Sequence, residues 1–397
     1  MQVGKYYKNI MIKLIKSTFY KEKETKEKLC TFIKKAEQLS LGKQCSDFEK
    51  AFSAWQGRKY SVMFNSGSSA NLALIQVLIN LGKIKIGDAV GFSAVTWATN
   101  VMPLITLRLK PVPIDIELNT LNISLKSLIE AHKKYKFKLL FITNLLGYSG
   151  DLKEIANFCK KNKIILIEDN CESLGSEYKN KKLGNFGSAS SFSFYVGHHM
   201  STIEGGMVCT DDREIDTMLR IVRSHGWDRH LSKEEQDKLR KKYKIDEFYG
   251  KYTFYDIGYN FRPTEIQGFL GLDQLQYLNM TVDKREKNYK EFEKIYSNPD
   301  FIKMSTVGMT KVSNFALPLI CKTKSIRDKY MEIAKKAEIE IRPVVAGNIN
   351  RQAFFAKHVK GAFHLPNAEK IHHTGFYFGN NPEMTKEEIK LLVKTFS

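Results

Sequence analysis

The sequence predicts an α/β protein, in which a large domain with a mostly parallel sheet covered by helices precedes a smaller α+β domain. Three observations carry this prediction. Short apolar runs alternate with amphipathic stretches from residue 60 onward, as expected for strands joined by covering helices. The 397 residues exceed the usual size of one domain. Their composition, 43% hydrophobic and 27% charged, is that of a chain with a large buried core.

An N-terminal arm is expected at residues 1–30, where the chain is rich in lysine and weakly patterned. The large domain is expected at residues 31–278. Within it, apolar runs predict strands at 60–64, 89–92, 138–143 and 164–168, and amphipathic runs predict helices at 69–81, 98–107 and 152–161. A predicted helix follows each of the first three predicted strands, which is typical of a parallel sheet.

A linking helix and a small C-terminal domain are expected at residues 279–397. A helical pattern that begins near residue 265 continues through a charged segment to about residue 296, which predicts one long helix between the two domains. Beyond it, the patterns predict strands at 314–320, 338–342 and 375–378 and helices at 325–337 and 385–395. This mixture of strands and helices favours an α+β unit.

The chain is strongly basic, with 63 Lys and Arg against 43 Asp and Glu and a net charge of +20. Such a balance suits nucleic acid, but the basic residues are scattered and no nucleic-acid-binding motif occurs. We therefore expect no nucleic-acid partner. A dispersed basic surface instead steers a small anionic substrate toward a cleft.

We expect no membrane partner and a cytoplasmic location. The longest apolar runs are far shorter than the roughly 18–20 residues that span a bilayer, and residues 1–10 lack the apolar stretch and cleavage site of a secretion signal. The six cysteines are widely spaced, without the paired spacing of metal or iron–sulfur sites. They are interpreted as buried hydrophobic residues in a reducing compartment, and no metal is expected.

Candidate binding residues follow the predicted strands, since ligands of open parallel sheets bind beyond the carboxyl ends of the strands. The segment 65–71 supplies Gly67, Ser68 and Ser69 at the start of a helix, where free N–H groups and hydroxyls suit a phosphate. An ordinary strand–helix turn is the alternative. Trp97 follows the next strand and is either a platform that stacks on a flat ring or a core residue.

The end of the strand at 164–168 and the segment after it are rich in polar groups. Asp169 is placed to keep a ring nitrogen protonated through a hydrogen bond, or else to cap a helix. Residues 191–206 carry His198 and His199 in a turn rich in Ser and Gly, where each histidine is either catalytic or structural. No lysine occurs from residue 183 to residue 232, which is a notable gap in so lysine-rich a chain.

Together these segments resemble the nucleotide-sugar aminotransferase family of DegT/StrS type, whose members are fold type I, aspartate-aminotransferase-like enzymes that use pyridoxal 5′-phosphate. The resemblance runs from about residue 44 to the C-terminus. It implies a homodimer with shared active sites, in which the segment 258–267 reaches the neighbouring subunit's coenzyme through Asn260. The coenzyme-binding residues that it implies are Gly67, Ser68, Ser69, Trp97, Asp169, Glu172, Ser193 and Asn260.

One departure from the family pattern decides the expected reaction. His198 stands where most members have the lysine that binds the coenzyme covalently. A histidine cannot form that bond, but it can move protons near neutral pH. The same replacement is typical of a small branch of the family that removes the C3 hydroxyl of nucleotide-linked 4-keto-6-deoxy sugars. The resemblance therefore implies that His198 is the base and that Asp169 keeps the pyridine nitrogen protonated, with His199 as the rival base.

The implied enzyme is a 3-dehydratase that works with the pyridoxamine form of the coenzyme and takes its amino group from L-glutamate. Because the cysteines provide no cluster motif, we expect the chain to resemble those members of the branch that work without an iron–sulfur cluster. The nucleotide is expected to be GDP, with CDP as the alternative, and the sugar is a hexose or a heptose. Substrate contacts are assigned to Arg342, Asn348 and Arg351, against the alternative of a surface loop.

Two other functions stay open on the sequence. A nucleotide-sugar 4-aminotransferase with His198 in place of lysine would make an amino sugar, although it lacks the lysine amine. A non-catalytic relic would bind the coenzyme without forming product, although the retained Asp169, Ser193 and Asn260 argue against decay. The order of the half-reactions and any oligomer beyond the dimer do not follow from the residues.

Overall fold

The computed structural model describes residues 11–397. Residues 1–10, which begin the expected arm and on which the expected absence of a secretion signal rests, lie outside the described residues. The described helices are α1 (Glu22–Lys35), α2 (Lys43–Gln56), α3 (Gly67–Asn80), α4 (Met102–Thr106), α5 (Leu125–Tyr135), α6 (Leu152–Lys161), α7 (Arg213–Arg223), α8 (Lys233–Tyr243), α9 (Glu265–Leu275), α10 (Leu278–Phe292), α11 (Lys324–Lys336), α12 (Ala353–His358), α13 (Pro366–Thr374) and α14 (Lys386–Phe396). The described strands are β1 (Tyr60–Phe64), β2 (Ala89–Ser93), β3 (Lys110–Ile114), β4 (Leu139–Thr143), β5 (Ile165–Asp169), β6 (Glu177–Tyr178), β7 (Lys181–Lys182), β8 (Ala189–Ser193), β9 (Gly206–Thr210), β10 (Met309–Lys311), β11 (Ala316–Ile320), β12 (Ile341–Pro343) and β13 (Gly375–Gly379).

A seven-stranded sheet is the centre of the fold, with the strand order β1-β9-β8-β5-β4-β2-β3. The strands from β8 to β3 pair in parallel, and β9 runs antiparallel to both of its neighbours. Along β4, Leu139 and Phe141 enter one apolar cluster, and Leu140 and Ile142 enter another on the opposite face. Both faces of the sheet are therefore buried, and the predicted mostly parallel sheet is confirmed.

Strand β3 is absent from the sequence prediction because its five residues, Lys110-Pro-Val-Pro-Ile114, include two prolines. A proline has no N–H to donate to a neighbouring strand and is tolerated at a sheet edge. β3 is the last strand of the sheet. One side of it therefore needs no N–H donors, and the apolar side chains of Val112 and Ile114 are still buried.

An antiparallel sheet of order β11-β13-β12 is the core of the C-terminal unit. Phe292 of α10, Phe378 of β13 and Phe396 of α14 are fully buried beside one another, with the rings of Phe378 and Phe396 stacked at 5.3 Å. The predicted smaller α+β unit is confirmed. The residue boundaries of the predicted domains stay a prediction.

The predicted long helix at residues 265–296 is wrong, because a turn at Gln276–Tyr277 divides it into α9 and α10. The side-chain amide of Gln276 donates to the carbonyl of Asp273 at 2.7 Å. In a continuous helix that carbonyl would accept from the N–H of Tyr277. Tyr277 donates instead to Gln274 at 3.1 Å, which tightens the chain into a turn.

Residues 11–20, called the strap below, run from the C-terminal unit to α9. The N–H of Leu14 donates to the Glu340 carboxylate at 2.9 Å, beside β12. At the other end, the N–H of Tyr20 donates to the side chain of Gln274 at 3.0 Å. The described part of the expected arm therefore connects both parts of the fold.

Within residues 11–397, no helix has the length and apolarity needed to cross a bilayer. The same residues contain no cluster of three or more His, Cys, Asp or Glu side chains suited to a metal ion. All six cysteines are free. The expectation that they are all buried is wrong for Cys30, which is exposed, and for Cys171, which is half-buried.

Candidate active site

A cleft of about 720 Å³ lies between the carboxyl ends of the parallel strands and the C-terminal unit. Loops that follow strands meet here because parallel strands end at one edge of a sheet. The cleft brings together eight of the residues singled out in the sequence, namely Gly67, Ser68, Trp97, Asp169, Glu172, Ser193, His198 and Arg342.

The start of α3 forms one end of the cleft. Ser66 caps this helix by accepting from the N–H of Ser69 at 3.1 Å. Ser69 is thus used within the cap and does not line the cleft. A Cβ atom on Gly67 would lie 2.6 Å from Cβ of Ser193, so only glycine allows this close approach. The N–H groups of Gly67 and Ser68 then point out of a helix N-terminus beside the Ser193 hydroxyl, an arrangement that suits phosphate.

Asp169 ends β5 and is 4% exposed. One carboxylate oxygen accepts from the side-chain amides of Asn71 at 3.0 Å and Asn100 at 2.7 Å. The other oxygen accepts from the N–H of Cys171 at 2.9 Å. These three donors fix the direction of the carboxylate, whereas the alternative role of a helix cap is not observed.

Glu172 lies three residues further along the same turn and is 8% exposed. Burial raises the pKa of Glu172 to about 8, and the negative charge of Asp169 adds to this shift. The N–H of Leu146, which donates to the Glu172 carboxylate at 3.1 Å, opposes it. Glu172 is therefore a neutral acid at neutral pH.

His198 lines the cleft from an irregular turn between β8 and β9. Its ring lies between Tyr195 and Phe315, with centroid distances of 5.9 and 5.6 Å. Burial lowers the pKa of His198 to about 4, although the Asp169 carboxylate opposes that shift. The imidazole is therefore neutral at physiological pH and is able to accept a proton.

His199 does not line this cleft. It is 6% exposed, and its Nε2 lies 3.0 Å from the carbonyl oxygen of Ser313. Burial, with the positive charge of Arg285 as a further cause, holds the pKa of His199 well below its usual value. The geometry therefore favours His198 over His199 as the group that faces a ligand.

Trp97 is 56% exposed at the mouth of the cleft, so the alternative that it is a core residue is wrong. An exposed indole with one free face is able to stack on a planar ring. Arg342 also lines the mouth, where it pairs with Glu340 at 2.5 Å.

Three other sequence candidates lie outside the cleft. Asn260 is exposed on the segment before α9, where its backbone pairs with Ser224. Asn348 donates to the Glu369 carboxylate at 2.9 Å, and Arg351 forms an ion pair with the same carboxylate. Glu369 therefore binds the same polar groups of Asn348 and Arg351 that the sequence assigns to the substrate.

Sequence reasoning missed Asn71 and Asn100, which orient Asp169, although both stand in segments that had been singled out. The available signal was a polar side chain inside a segment already selected as a candidate binding site. No sequence signal marked the other lining residues that matter below, which are Leu14, Ile15, Tyr195, Phe315 and Tyr377.

The sheet order and the cleft at its carboxyl edge define a protein of the fold type I, aspartate-aminotransferase-like class. The chain belongs to the DegT/DnrJ/EryC1/StrS aminotransferase family, whose model matches residues 20–397. It is 35% identical over 362 residues to the GDP-4-keto-6-deoxy-D-mannose 3-dehydratase of Escherichia coli O55:H7, covering 90% of this chain and 92% of that protein.

Solved structures give the same result. The E. coli GDP-4-keto-6-deoxy-D-mannose 3-dehydratase with bound hydrated PLP matches with a TM-score of 0.88 and 32% identity, over 97% of this chain and 99% of that one. A structure of GDP-4-keto-6-deoxymannose 3-dehydratase with a trapped PLP–glutamate geminal diamine also matches, with the same TM-score, identity and coverage.

Proposed function

We propose that this protein is a 3-dehydratase of a nucleotide-linked 4-keto-6-deoxy sugar that depends on pyridoxal or pyridoxamine 5′-phosphate and on L-glutamate. The observation that carries the proposal is His198 in the same cleft as Asp169, with no lysine among the described residues that line it. Similarity to two 3-dehydratase structures supports the same reaction.

The described residues fit the coenzyme at both of its ends. The start of α3 offers the N–H groups of Gly67 and Ser68 to a phosphate, in a cradle that a side chain at position 67 would fill. Asp169 is a buried carboxylate with a fixed direction, as a protonated pyridine nitrogen requires. Pyridoxamine phosphate bound here supplies the amino group that condenses with the sugar ketone and an electron sink for the reaction.

His198 is proposed to remove a proton from C4′ of the coenzyme while the C3 hydroxyl leaves as water. Its lowered pKa keeps the ring unprotonated and ready to accept that proton. Over the whole cycle, the sugar loses one oxygen, glutamate becomes 2-oxoglutarate and ammonia is released, so the atoms and electrons balance. A histidine moves protons without holding the coenzyme covalently.

The proposed substrate contact is Arg342, because it lies in the cleft and its planar guanidinium is able to bind two pyrophosphate oxygens. Asn348 and Arg351 remain proposed substrate contacts, and to bind the substrate they must first break their hydrogen bond and ion pair with Glu369. GDP is the proposed nucleotide because the similar dehydratases are named for a GDP-linked sugar. A hexose and a heptose both agree with the cleft.

We further propose a homodimer in which Asn260 reaches the partner's coenzyme phosphate. Asn260 is exposed and does not line the cleft of its own chain. Large apolar side chains are exposed just before it, at Phe248, Tyr249, Tyr252, Phe254 and Ile257. L-Glutamate is the proposed amino donor, supported by the PLP–glutamate adduct of the similar structure. Six free cysteines support a reducing, cytoplasmic location.

Mass spectrometry of GDP-4-keto-6-deoxymannose after incubation with the protein, pyridoxal phosphate and L-glutamate tests the reaction. We expect a product that lacks one oxygen, together with ammonia and 2-oxoglutarate. Replacement of the ketone oxygen by an amine would establish the aminotransferase instead. Bound coenzyme without any product from GDP- or CDP-linked hexoses and heptoses would favour the relic.

The variant His198→Asn tests the proposed base. It should bind the coenzyme as the natural protein does and lose dehydration, because an amide accepts no proton near neutral pH. His132→Asn is the control, since His132 is a half-buried histidine of α5 that does not line the cleft. Full dehydration activity in His198→Asn would contradict the assignment.

A further inference from the structure

The turn that carries His198 has little regular structure of its own. It runs through Gly197 between β8 and β9, and the N–H of His198 donates to the carbonyl of Tyr195 at 2.9 Å. Nδ1 of His198 makes no hydrogen bond with any described residue. No described carboxylate pairs with this ring, so its direction is not set by an acidic partner, as a catalytic histidine's often is.

The neighbouring His199 makes a polar contact with a different part of the chain. Its Nε2 lies 3.0 Å from the carbonyl oxygen of Ser313. Since a carbonyl only accepts, Nε2 carries the proton and donates. The low pKa of His199 keeps this one neutral form over the working pH range.

The partner of His199 is itself firmly held. Residues 313–315, called the anchor segment, lead into β11. The N–H of Ser313 donates to the Ser176 hydroxyl at 2.9 Å. The side chain of Asn314 accepts from the Asn380 amide at 2.8 Å.

The anchor segment also contacts His198 directly. The ring of Phe315 packs against His198 at 5.6 Å and against His199 at 6.2 Å. Phe315 packs in turn on Tyr377 of β13 at 6.1 Å. The two histidines and the C-terminal wall of the cleft therefore form one packed unit, with the His199–Ser313 hydrogen bond as its polar link.

We propose that His199 is a positioning residue, whose hydrogen bond to Ser313 fixes the turn so that the His198 ring faces the reacting carbon. This inference rests on the proposed function, because it assigns a task to His198. Proton transfer depends steeply on geometry, and a displacement of about 1 Å costs roughly a hundredfold in rate. The effect belongs to the rate of the chemical step and not to substrate affinity.

The test compares His199→Phe, which keeps a ring but has no donor, with His199→Gln, whose amide is able to donate at the position of Nε2. We expect kcat of His199→Phe to fall about 10- to 100-fold, with KM for the nucleotide sugar and coenzyme affinity unchanged. His199→Gln should recover most of the rate. His132→Phe, at a half-buried histidine packed on Phe137 and Phe158, should behave as the natural protein.

Ser176→Ala provides a second variant should His199→Phe fail to fold, because it frees the N–H of Ser313 and loosens the same anchor segment. It should also lower kcat while leaving KM unchanged. Natural kcat in His199→Phe would overturn the proposal, and so would equal loss in His199→Phe and His199→Gln. A common loss of coenzyme binding would show a merely structural role and overturn it too.

The design separates this inference from the proposed function. If the natural protein makes an amino sugar instead of a deoxy sugar, the proposed reaction fails. The ratio of kcat between the variants and the natural protein still reports on His199, because aminotransfer also needs the base. If the natural protein dehydrates the sugar and His199→Phe does so equally fast, only the inference fails.

Discussion

Replacing Glu172 by glutamine should change how the stability of the coenzyme-free protein depends on pH. Glu172 is buried, and burial raises its pKa from 4.5 to about 8. A pKa that is higher in the folded state gives stability that is fully present below pH 4.5 and is lost as the pH rises through about 8. The loss is the free energy needed to keep a buried carboxylate ionised.

The size of the effect follows from the shift. One pKa unit corresponds to about 1.4 kcal/mol, so the natural protein should lose about 4 kcal/mol of unfolding free energy through this group between about pH 5 and about pH 9. Glutamine does not titrate, and its amide oxygen is still able to accept from the N–H of Leu146. Glu172→Gln should therefore lose about 4 kcal/mol less over the same range.

Urea unfolding followed by tryptophan fluorescence, at matched ionic strength across that range, measures the difference. All other titrating groups are shared, so they cancel when the two proteins are compared. Glu204→Gln is the matched control, because Glu204 is an exposed carboxyl that lines the same cleft. Parallel curves for the natural protein and Glu172→Gln would refute the reasoning that Glu172 is a neutral buried acid.

Three other outcomes are expected. Asn100→Ala removes a 2.7 Å hydrogen bond to the Asp169 carboxylate and should weaken coenzyme binding about 10- to 100-fold in an absorbance titration; unchanged affinity would contradict the role of Asp169. Gly67→Ala places a Cβ 2.6 Å from Cβ of Ser193, so coenzyme binding should fall while circular dichroism stays unchanged; tight binding would show that the cradle is not the phosphate site. Arg342→Ala should raise KM for the nucleotide sugar about tenfold or more. Arg351→Ala should raise it less, because the Arg351 guanidinium is held by Glu369; a larger effect of Arg351→Ala would assign the pyrophosphate to Arg351.

Much of the cleft could be predicted because its residues follow strands in the sequence. Gly67, Asp169 and Ser193 all stand at or just after the carboxyl end of a strand, and the topology of a parallel sheet brings such positions together. His198 lies in the turn that follows β8, so the same topology brings it to this edge of the sheet. Local sequence patterns were enough to predict these site residues because all of them lie at one edge of one sheet.

The remaining features depend on contacts that local patterns do not encode. The break between α9 and α10 results from the side-chain amide of Gln276, which competes with the backbone for one carbonyl. Arg351 is drawn from the cleft by Glu369, a residue of α13 that no spacing rule links to it. Asn100 was visible in a motif, but its target became evident only once β5 lay beside it.

The strap also fixes an order of events during synthesis. Leu14 and its hydrogen-bond partner Glu340 are 326 positions apart, so a ribosome needs roughly 15–65 s after adding Leu14 to make the partner. During that interval the parallel sheet is able to form, but Leu14 and Ile15 are not yet fixed by the Leu14–Glu340 hydrogen bond. The wall that they contribute to the cleft is therefore completed last, and a nascent chain is able to assemble its coenzyme cradle before the site closes around a substrate.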